Sequence, residues 1–333
     1  MILDSSCQSY LGTAIPHHGK DWGEFHFWTW KGFKCHWRLL GSKNKNPLIF
    51  IHGFGASSAH WRKNAAFFVN SGYRVYALDL IGFGFSEQPS AKKQKKLDNY
   101  FWSQQLVAFI EEIVQTESTL KVVLVGNSLG SLVAITVLSS RPDLVKALIA
   151  SPLPDPAFLQ PFKFPNNRLL RKLKTLFITS IFNLLPLELI IPLISRSLVL
   201  RNLLQTAYEK SVKNDFELLQ IVRSPACRST AARALRAMCI GMSLRPSSYT
   251  APFLLKKLSS QQQRTPLLLV WGRQDNLVPL KIANMIIKSN PWLDLLVVEN
   301  SGHCVHDESD SEFNQSALSW LQKGNLTINK KIS

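Results

Sequence analysis

The sequence is short of acid. Its 333 residues carry 22 Asp and Glu against 39 Lys and Arg, giving a formal charge of +17 and an isoelectric point near 9.8. That excludes an acidic, solvating chain and calls for an anionic neighbour: nucleic acid, an acidic lipid leaflet or another polyanion. Cysteine is also scarce. Cys7, Cys35, Cys227, Cys239 and Cys304 are scattered, odd in number and never spaced C-x-x-C. This excludes a zinc ribbon and a disulfide framework, and makes a reducing compartment the default. The opening residues MILDSSCQSYLG lack the basic start and apolar run of a secretory leader and are poor in arginine. A cytoplasmic setting is the expectation that follows. Internal repeats are absent as well.

Apolar residues make up 46% of the chain, enough for a sizeable core. Residues 21–40 roughly alternate aromatic and polar around Lys31-Gly32, as an antiparallel hairpin would. Six short apolar runs follow: 47–55, 73–80, 121–126, 145–151, 265–272 and 293–299. Stretches with helical spacing, such as 101–116 and 131–140, separate several of them. Continuous apolar strands alternating with helices predict a mostly parallel twisted sheet, covered by helices on both faces. Residues 153–264 break this rhythm. They hold no clear strand and are rich in Leu, Lys and Arg, so they are expected to be a helical insertion. The core would then comprise 1–152 and 265–333. The run 91–96 (AKKQKK) is expected to be a charged loop, and 324–333 a frayed tail.

One serine stands out. In VVLVGNSLGS (122–131), Ser128 lies between Gly126 and Gly130 at the end of an apolar strand and the start of a helical pattern. That context fits G-x-S-x-G, a tight turn that exposes a nucleophilic hydroxyl. Bulk at either glycine would collide with the turn. A serine needs a base, and two later strand ends supply partners. WGRQDNLVP places Asp275 after strand 265–272, and NSGHCVH places His303 after strand 293–299. The order Ser128, Asp275, His303 fits a triad. His303 would take the serine proton, and Asp275 would fix the imidazole tautomer. His306 competes for the base role but is expected to brace the loop with Asp307 or Glu308. His52-Gly53-Phe54-Gly55, after strand 47–51, would supply one oxyanion donor from the Phe54 N–H; the Leu129 N–H would be the other.

With those residues in hand, the chain resembles the α/β-hydrolase superfamily over about residues 22–322. The resemblance is carried by HGFGASSAHWRKN (52–64), YRVYALDLIGFGFSEQP (73–89), GNSLGSLVA (126–134), WGRQDNLVP (271–279) and SGHCVHDE (301–308). It implies the α/β-hydrolase fold with an inserted helical cap, and it makes Asp79–Ser86 a scaffold turn. The W-x-W-K-G hairpin and the H-G-F-G-A-S stretch look most similar to pheophytinase-like and chlorophyll-dephytylase-like hydrolases, which implies an isoprenoid ester on a tetrapyrrole. G-N-S-x-G also appears in hydrolases of vinylogous C–C bonds, and Ser131 stands where relatives often have glycine. A serine nucleophile argues against the similar epoxide hydrolases and haloalkane dehalogenases, which use aspartate.

The expected activity is therefore serine hydrolysis of a hydrophobic carboxylic ester, with no metal and no cofactor. The alternatives are C–C bond hydrolysis by the same triad, or a non-catalytic scaffold holding an apolar ligand.

Residues 156–264 hold 17 Lys and Arg against four Asp and Glu, so they contribute +13 of the +17. Their apolar stretch 175–200 is interrupted by Pro186, Glu188 and Pro192. Two short helices are expected there rather than one membrane span. Such helices would either roof an apolar pocket or meet an anionic membrane surface. Lys92, Lys93, Lys95 and Lys96 form a second basic patch. Nucleic acid is not an expected partner, because no known motif for it is present.

Overall fold

The computed structural model describes residues 22–90, 93–94, 96–159, 168–195, 197–262 and 264–323. The N-terminal segment with Cys7, the lysines Lys92 and Lys95, and the C-terminal tail lie outside them.

All eight expected strands form. They are β1 (Glu24–Trp30), β2 (Phe33–Leu40), β3 (Asn46–Ile51), β4 (Tyr73–Leu78), β5 (Val122–Asn127), β6 (Val145–Ser151), β7 (Leu267–Gly272) and β8 (Asp294–Val298). They make one sheet in the order β1-β2-β4-β3-β5-β6-β7-β8. Only β2 runs against its neighbours; the rest pair in parallel. The β1–β2 hairpin turns through Lys31 (φ 48°) and Gly32 (φ 76°), the two left-handed residues that match the strands' twist.

The buried strands divide their side chains by the strand period of two. Ile49, Ile51 and Leu124 face a large cluster on one side of the sheet. Leu48, Phe50, Val123 and Val125 face a second cluster on the other. Both faces need cover, and helices supply it. The helices before the insertion are α1 (Ala65–Asn70), α2 (Asn99–Phe109) and α3 (Leu129–Ser140). α3 is apolar nearly all round and almost wholly buried, so it lies between the sheet and further helices.

Between β6 and β7 the described residues form helices and no strand. These are α4 (Arg168–Leu184), α5 (Leu187–Ile194), α6 (Ser197–Gln205), α7 (Phe216–Ala226), α8 (Ala231–Leu244) and α9 (Ala251–Ser259). The apolar stretch 175–200 is thus spread over three helices. Pro186 caps α5, and α4 and α5 meet at a 56° bend. No single helix among the described residues is long and apolar enough to cross a membrane. α9 buries Leu254, Leu255 and Leu258 in the main cluster alongside α3. The neck of the insertion is closed by Asp155. Its carboxylate accepts from the Arg245 guanidinium at 2.5 Å and from the Ala251 N–H at 2.7 Å, with both ionic side chains buried. The chain ends with α10 (Leu280–Ser289), α11 (Val305–Glu308) and α12 (Asp310–Gln322). Lys93 is tied to the hairpin turn through the Gly32 carbonyl and Glu87.

Candidate active site

β5 delivers Ser128 at its carboxyl end, where open α/β sheets collect their ligands. Ser128 has φ 51° and ψ −114°, a conformation that costs a non-glycine residue about 1–3 kcal/mol. Its surroundings hold it there. The Ser128 N–H donates to Ser151 O at 3.1 Å, and Asn127 Nδ2 donates to the same carbonyl at 2.7 Å. A Cβ on Gly130 would stand 2.1 Å from Ile51 O, and one on Gly126 would stand 2.5 Å from the Ser131 nitrogen. The two glycines let the new helix fold back against β5 and the end of β3.

Ser131 does what glycine could not. Its hydroxyl donates to Gly126 O at 2.8 Å and accepts from the Ser151 N–H at 3.0 Å, which stitches the turn to β6. Ser131→Ala is expected to leave both buried groups short of a partner and to lower stability by about 1–3 kcal/mol. Urea unfolding measures this; an unchanged midpoint would contradict it.

The turn after β3 is set by His52, which is fully buried. Its Nδ1–H donates to Gly53 O at 2.8 Å, and its Nε2 accepts from the Leu80 N–H at 3.1 Å. Burial pushes its pKa down, keeping the ring neutral in this tautomer. A Cβ on Gly53 would lie 2.5 Å from Asn127 Oδ1 and 3.4 Å from Ser128 Cβ, so this turn rests on the serine elbow. Gly55 has φ +73° and turns the chain away. The Phe54 side chain is exposed, with its ring edge-on to Phe83. Leu129 opens α3. Its N–H precedes the first bond onto the Ser128 carbonyl, which Ser131 makes.

Asp275 and His303 come together from the ends of β7 and β8. Both are buried, and His303 Nδ1 donates to Asp275 Oδ2 at 2.9 Å. Asp275 Oδ1 accepts from the Leu277 and Val278 N–H groups, so the carboxylate is held at both oxygens. With its proton on Nδ1, His303 leaves Nε2 as the acceptor. Ser128 and His303 make no direct hydrogen bond. They are joined through Asn127, whose Nδ2 also reaches His303 O at 3.5 Å.

His306 does not brace the loop. Both of its ring nitrogens are buried without a partner, and the ring packs on Trp61 and His60. The bracing falls to its neighbours. Glu308 accepts from the Gly302 N–H, and Asp307 accepts from Arg62 and from the Tyr208 hydroxyl.

The insertion also enters the site. Ala207 O accepts the His303 N–H at 2.8 Å, and Tyr208 bonds His60 at 2.8 Å. Arg62 spans Asp307 in the core and Asp215 and Glu217 in the insertion. No sequence pattern marked Ala207 or Tyr208. The Arg62–Asp215 pair is separated by 153 residues and leaves no local signal.

Three imidazoles here are held neutral by burial. His60 is pushed down to about 4, against the pull of nearby Asp307 and with a further push from Arg62; His52 and His306 also lie below the ordinary value. The unfolded chain binds these protons below pH ~6.5 and the folded chain does not, so stability rises with pH in that window. His60 is expected to remove up to about 1.4 kcal/mol per pH unit as the pH falls from 6.5 towards 4.5, and His52 and His306 act in the same direction. Unfolding midpoints that stay flat between pH 7 and 5 would contradict neutral burial of the three.

A family model described as "Alpha/beta hydrolase family" matches residues 48–316. Among curated proteins, mouse epoxide hydrolase 4 is 32% identical over 38% of this chain, a match that spans 33% of that protein's length. A 2-hydroxy-6-oxononadienedioate/2-hydroxy-6-oxononatrienedioate hydrolase of Burkholderia vietnamiensis is 24% identical over 87% of this chain and 91% of its own. Among solved structures, a thermophilic esterase from Thermogutta terrifontis superposes with a TM-score of 0.65 at 18% identity, covering 91% of this chain and all (100%) of that one. At that identity the likeness concerns the fold alone.

Proposed function

The chain belongs to the alpha/beta hydrolase family, and from that premise we propose that it hydrolyses a hydrophobic carboxylic ester through an acyl-enzyme on Ser128. The observation that carries the reading is the His303 Nδ1–Asp275 Oδ2 bond of 2.9 Å beside a strained serine at a strand end. It leaves the basic nitrogen of His303 unprotonated on the side away from Asp275. His303 Nε2 accepts the Ser128 proton as Oγ bonds to the ester carbon. The Phe54 and Leu129 N–H groups receive the oxyanion, each contributing about 3–4 kcal/mol. Collapse expels the alcohol, which takes the proton from His303. Water then gives its proton to His303 and attacks the acyl carbon, and the acid leaves as the proton returns to Ser128.

Serine at the elbow, rather than aspartate, separates this chemistry from that of the epoxide hydrolase relatives. The long-chain character of the ester is supported by the leucine-rich insertion, whose chain reaches the site at Ala207 and Tyr208. The hairpin and H-G-F-G-A-S resemblance puts tetrapyrrole phytyl esters among the candidates. A second reading, C–C bond hydrolysis by the same residues, is favoured by the Burkholderia vietnamiensis relative, which matches most of this chain.

A panel of acyl and phytyl esters graded by chain length, run beside a vinylogous C–C substrate, decides between them. Turnover that rises with ester chain length is the expected result. Cleavage of the C–C substrate alone would overturn the ester reading in favour of the second.

A further inference from the structure

α4, α5 and α6 turn an apolar face to solvent. On α4, Leu169, Leu173, Leu176, Phe177, Ile181 and Leu184 recur at three- and four-residue spacing and are all exposed, Phe177 at 67% and Leu184 at 81%. Leu189 and Leu193 on α5 and Leu198 and Leu203 on α6 are exposed as well. Elsewhere in the described residues large exposed apolar side chains are scattered along the chain; here they fill one continuous stretch. Exposed apolar area on this scale marks a contact surface.

The charges around it choose the occupant. Residues 168–205 hold six Lys and Arg and a single acid, Glu188. Glu188 is already engaged by Arg236 at 2.8 Å. Four of the six cations fall in RLLRKLK at the start of α4, which has no acid in its first turn. Cations there oppose the helix dipole, so helix stability does not explain them. At about 100° per residue, Lys172 and Lys174 border the apolar arc on opposite sides. Aliphatic residues flanked by cations are the arrangement of a helix lying in a lipid interface, its apolar side among acyl chains and its cations at headgroup phosphates.

The fold argues for lying on the bilayer rather than crossing it. Leu187 and Ile191 on α5 are buried against Ala231 and Ala232 of α8. Arg236 of α8 donates to the Phe182 and Leu185 carbonyls at the bend and holds Glu188 just beyond it. A span through α4 and α5 would have to break these contacts.

We propose that α4, α5 and α6 dock this protein on an anionic membrane surface. The docking face and the candidate site lie close along the chain. α6 ends at Gln205, two residues before Ala207, whose carbonyl accepts the His303 N–H. Docking is independent of the catalytic reading. Delivery of a bilayer-resident ester to Ser128 rests on that reading.

The test is flotation of the full chain with vesicles of phosphatidylcholine alone or mixed with phosphatidylserine. Wild type is expected to float with the mixed vesicles and to bind neutral ones at least about tenfold more weakly. Phe177→Glu with Leu184→Glu should abolish flotation, and Lys172→Ser with Lys174→Ser should lose the preference for phosphatidylserine. Phe177, Leu184 and Lys172 are exposed and Lys174 is half-buried, so the Phe177→Glu with Leu184→Glu variant should keep the wild-type melting temperature, and Lys172→Ser alone should weaken the phosphatidylserine preference in the same direction as the lysine pair. Ser128→Ala should float like wild type, and the docking variants should keep wild-type turnover of a short water-soluble ester. Loss of turnover in all proteins would therefore count against the catalytic reading and leave docking standing. Three outcomes overturn the proposal: wild type staying in the load fraction with both vesicles, variants that float unchanged, or a lipid-free dimer that Phe177→Glu with Leu184→Glu disperses. Retention on vesicles through alkaline carbonate would overturn it in favour of a span.

Discussion

Ser128→Ala is expected to lower kcat for ester hydrolysis by about 10⁴–10⁶-fold while leaving ligand affinity unchanged. Ser131, the nearest serine in sequence, is buried and spends its hydroxyl on Gly126 O and the Ser151 N–H. Alanine keeps the β-carbon and the backbone strain, so the fold is not disturbed and the loss reports chemistry. Glycine gives a complementary readout. At φ 51° glycine has no side chain to strain, so Ser128→Gly should be equally inactive yet more stable by about 1 kcal/mol. Kinetics on a soluble ester and urea unfolding check both. An alanine variant with turnover within tenfold of wild type would remove Ser128 from the mechanism, and a glycine variant less stable than wild type would refute the stored strain.

The second large effect concerns stability. Asp155 closes the neck of the insertion with the Arg245 guanidinium at 2.5 Å, both side chains being almost out of contact with solvent, and it also accepts the Ala157 and Ala251 N–H groups. Asp155→Ala leaves a buried guanidinium uncompensated and is expected to cost about 3–5 kcal/mol, or roughly 4–7 °C in melting temperature for a chain of this length. Asp155→Leu with Arg245→Met should recover most of that, since removing both charges leaves nothing unpaired. By contrast, Asp143→Ala at the exposed Arg141 pair should change stability by less than about 1 kcal/mol. A cost for Asp155→Ala as small as that of the exposed pair would show that the neck is not held by this contact.

What was legible in the sequence follows from how local each signal is. The strands announce themselves because a strand buried on both faces is an uninterrupted apolar run, as in LLLVWG and VVLVGN. The elbow was legible because its serine and both glycines fall within five residues, although the group that Gly130 must clear, Ile51 O, lies on β3. The helical nature of 153–264 could be read from composition. Its subdivision could not, because Pro186 begins a helix instead of merely interrupting one, and the third helix of the apolar stretch starts within it. The His306 expectation failed for a different reason. Sequence neighbours Asp307 and Glu308 do make the hydrogen bonds, but α11 turns the imidazole that precedes them into an aromatic cluster with Trp61 and Phe313. Ala207 and Tyr208 were invisible because they reach the site through tertiary contact from the insertion. Asn127 was in view inside the motif, yet its bond to His303 O depends on a loop 176 residues away.

The central claim is that Ser128 is an activated nucleophile, and covalent labelling with a fluorophosphonate followed by peptide mapping tests it most directly. The account predicts one adduct, on the Ser128 hydroxyl, absent in Ser128→Ala and strongly slowed in His303→Ala. A folded wild-type protein that takes no label, or takes it on a different residue, would contradict it.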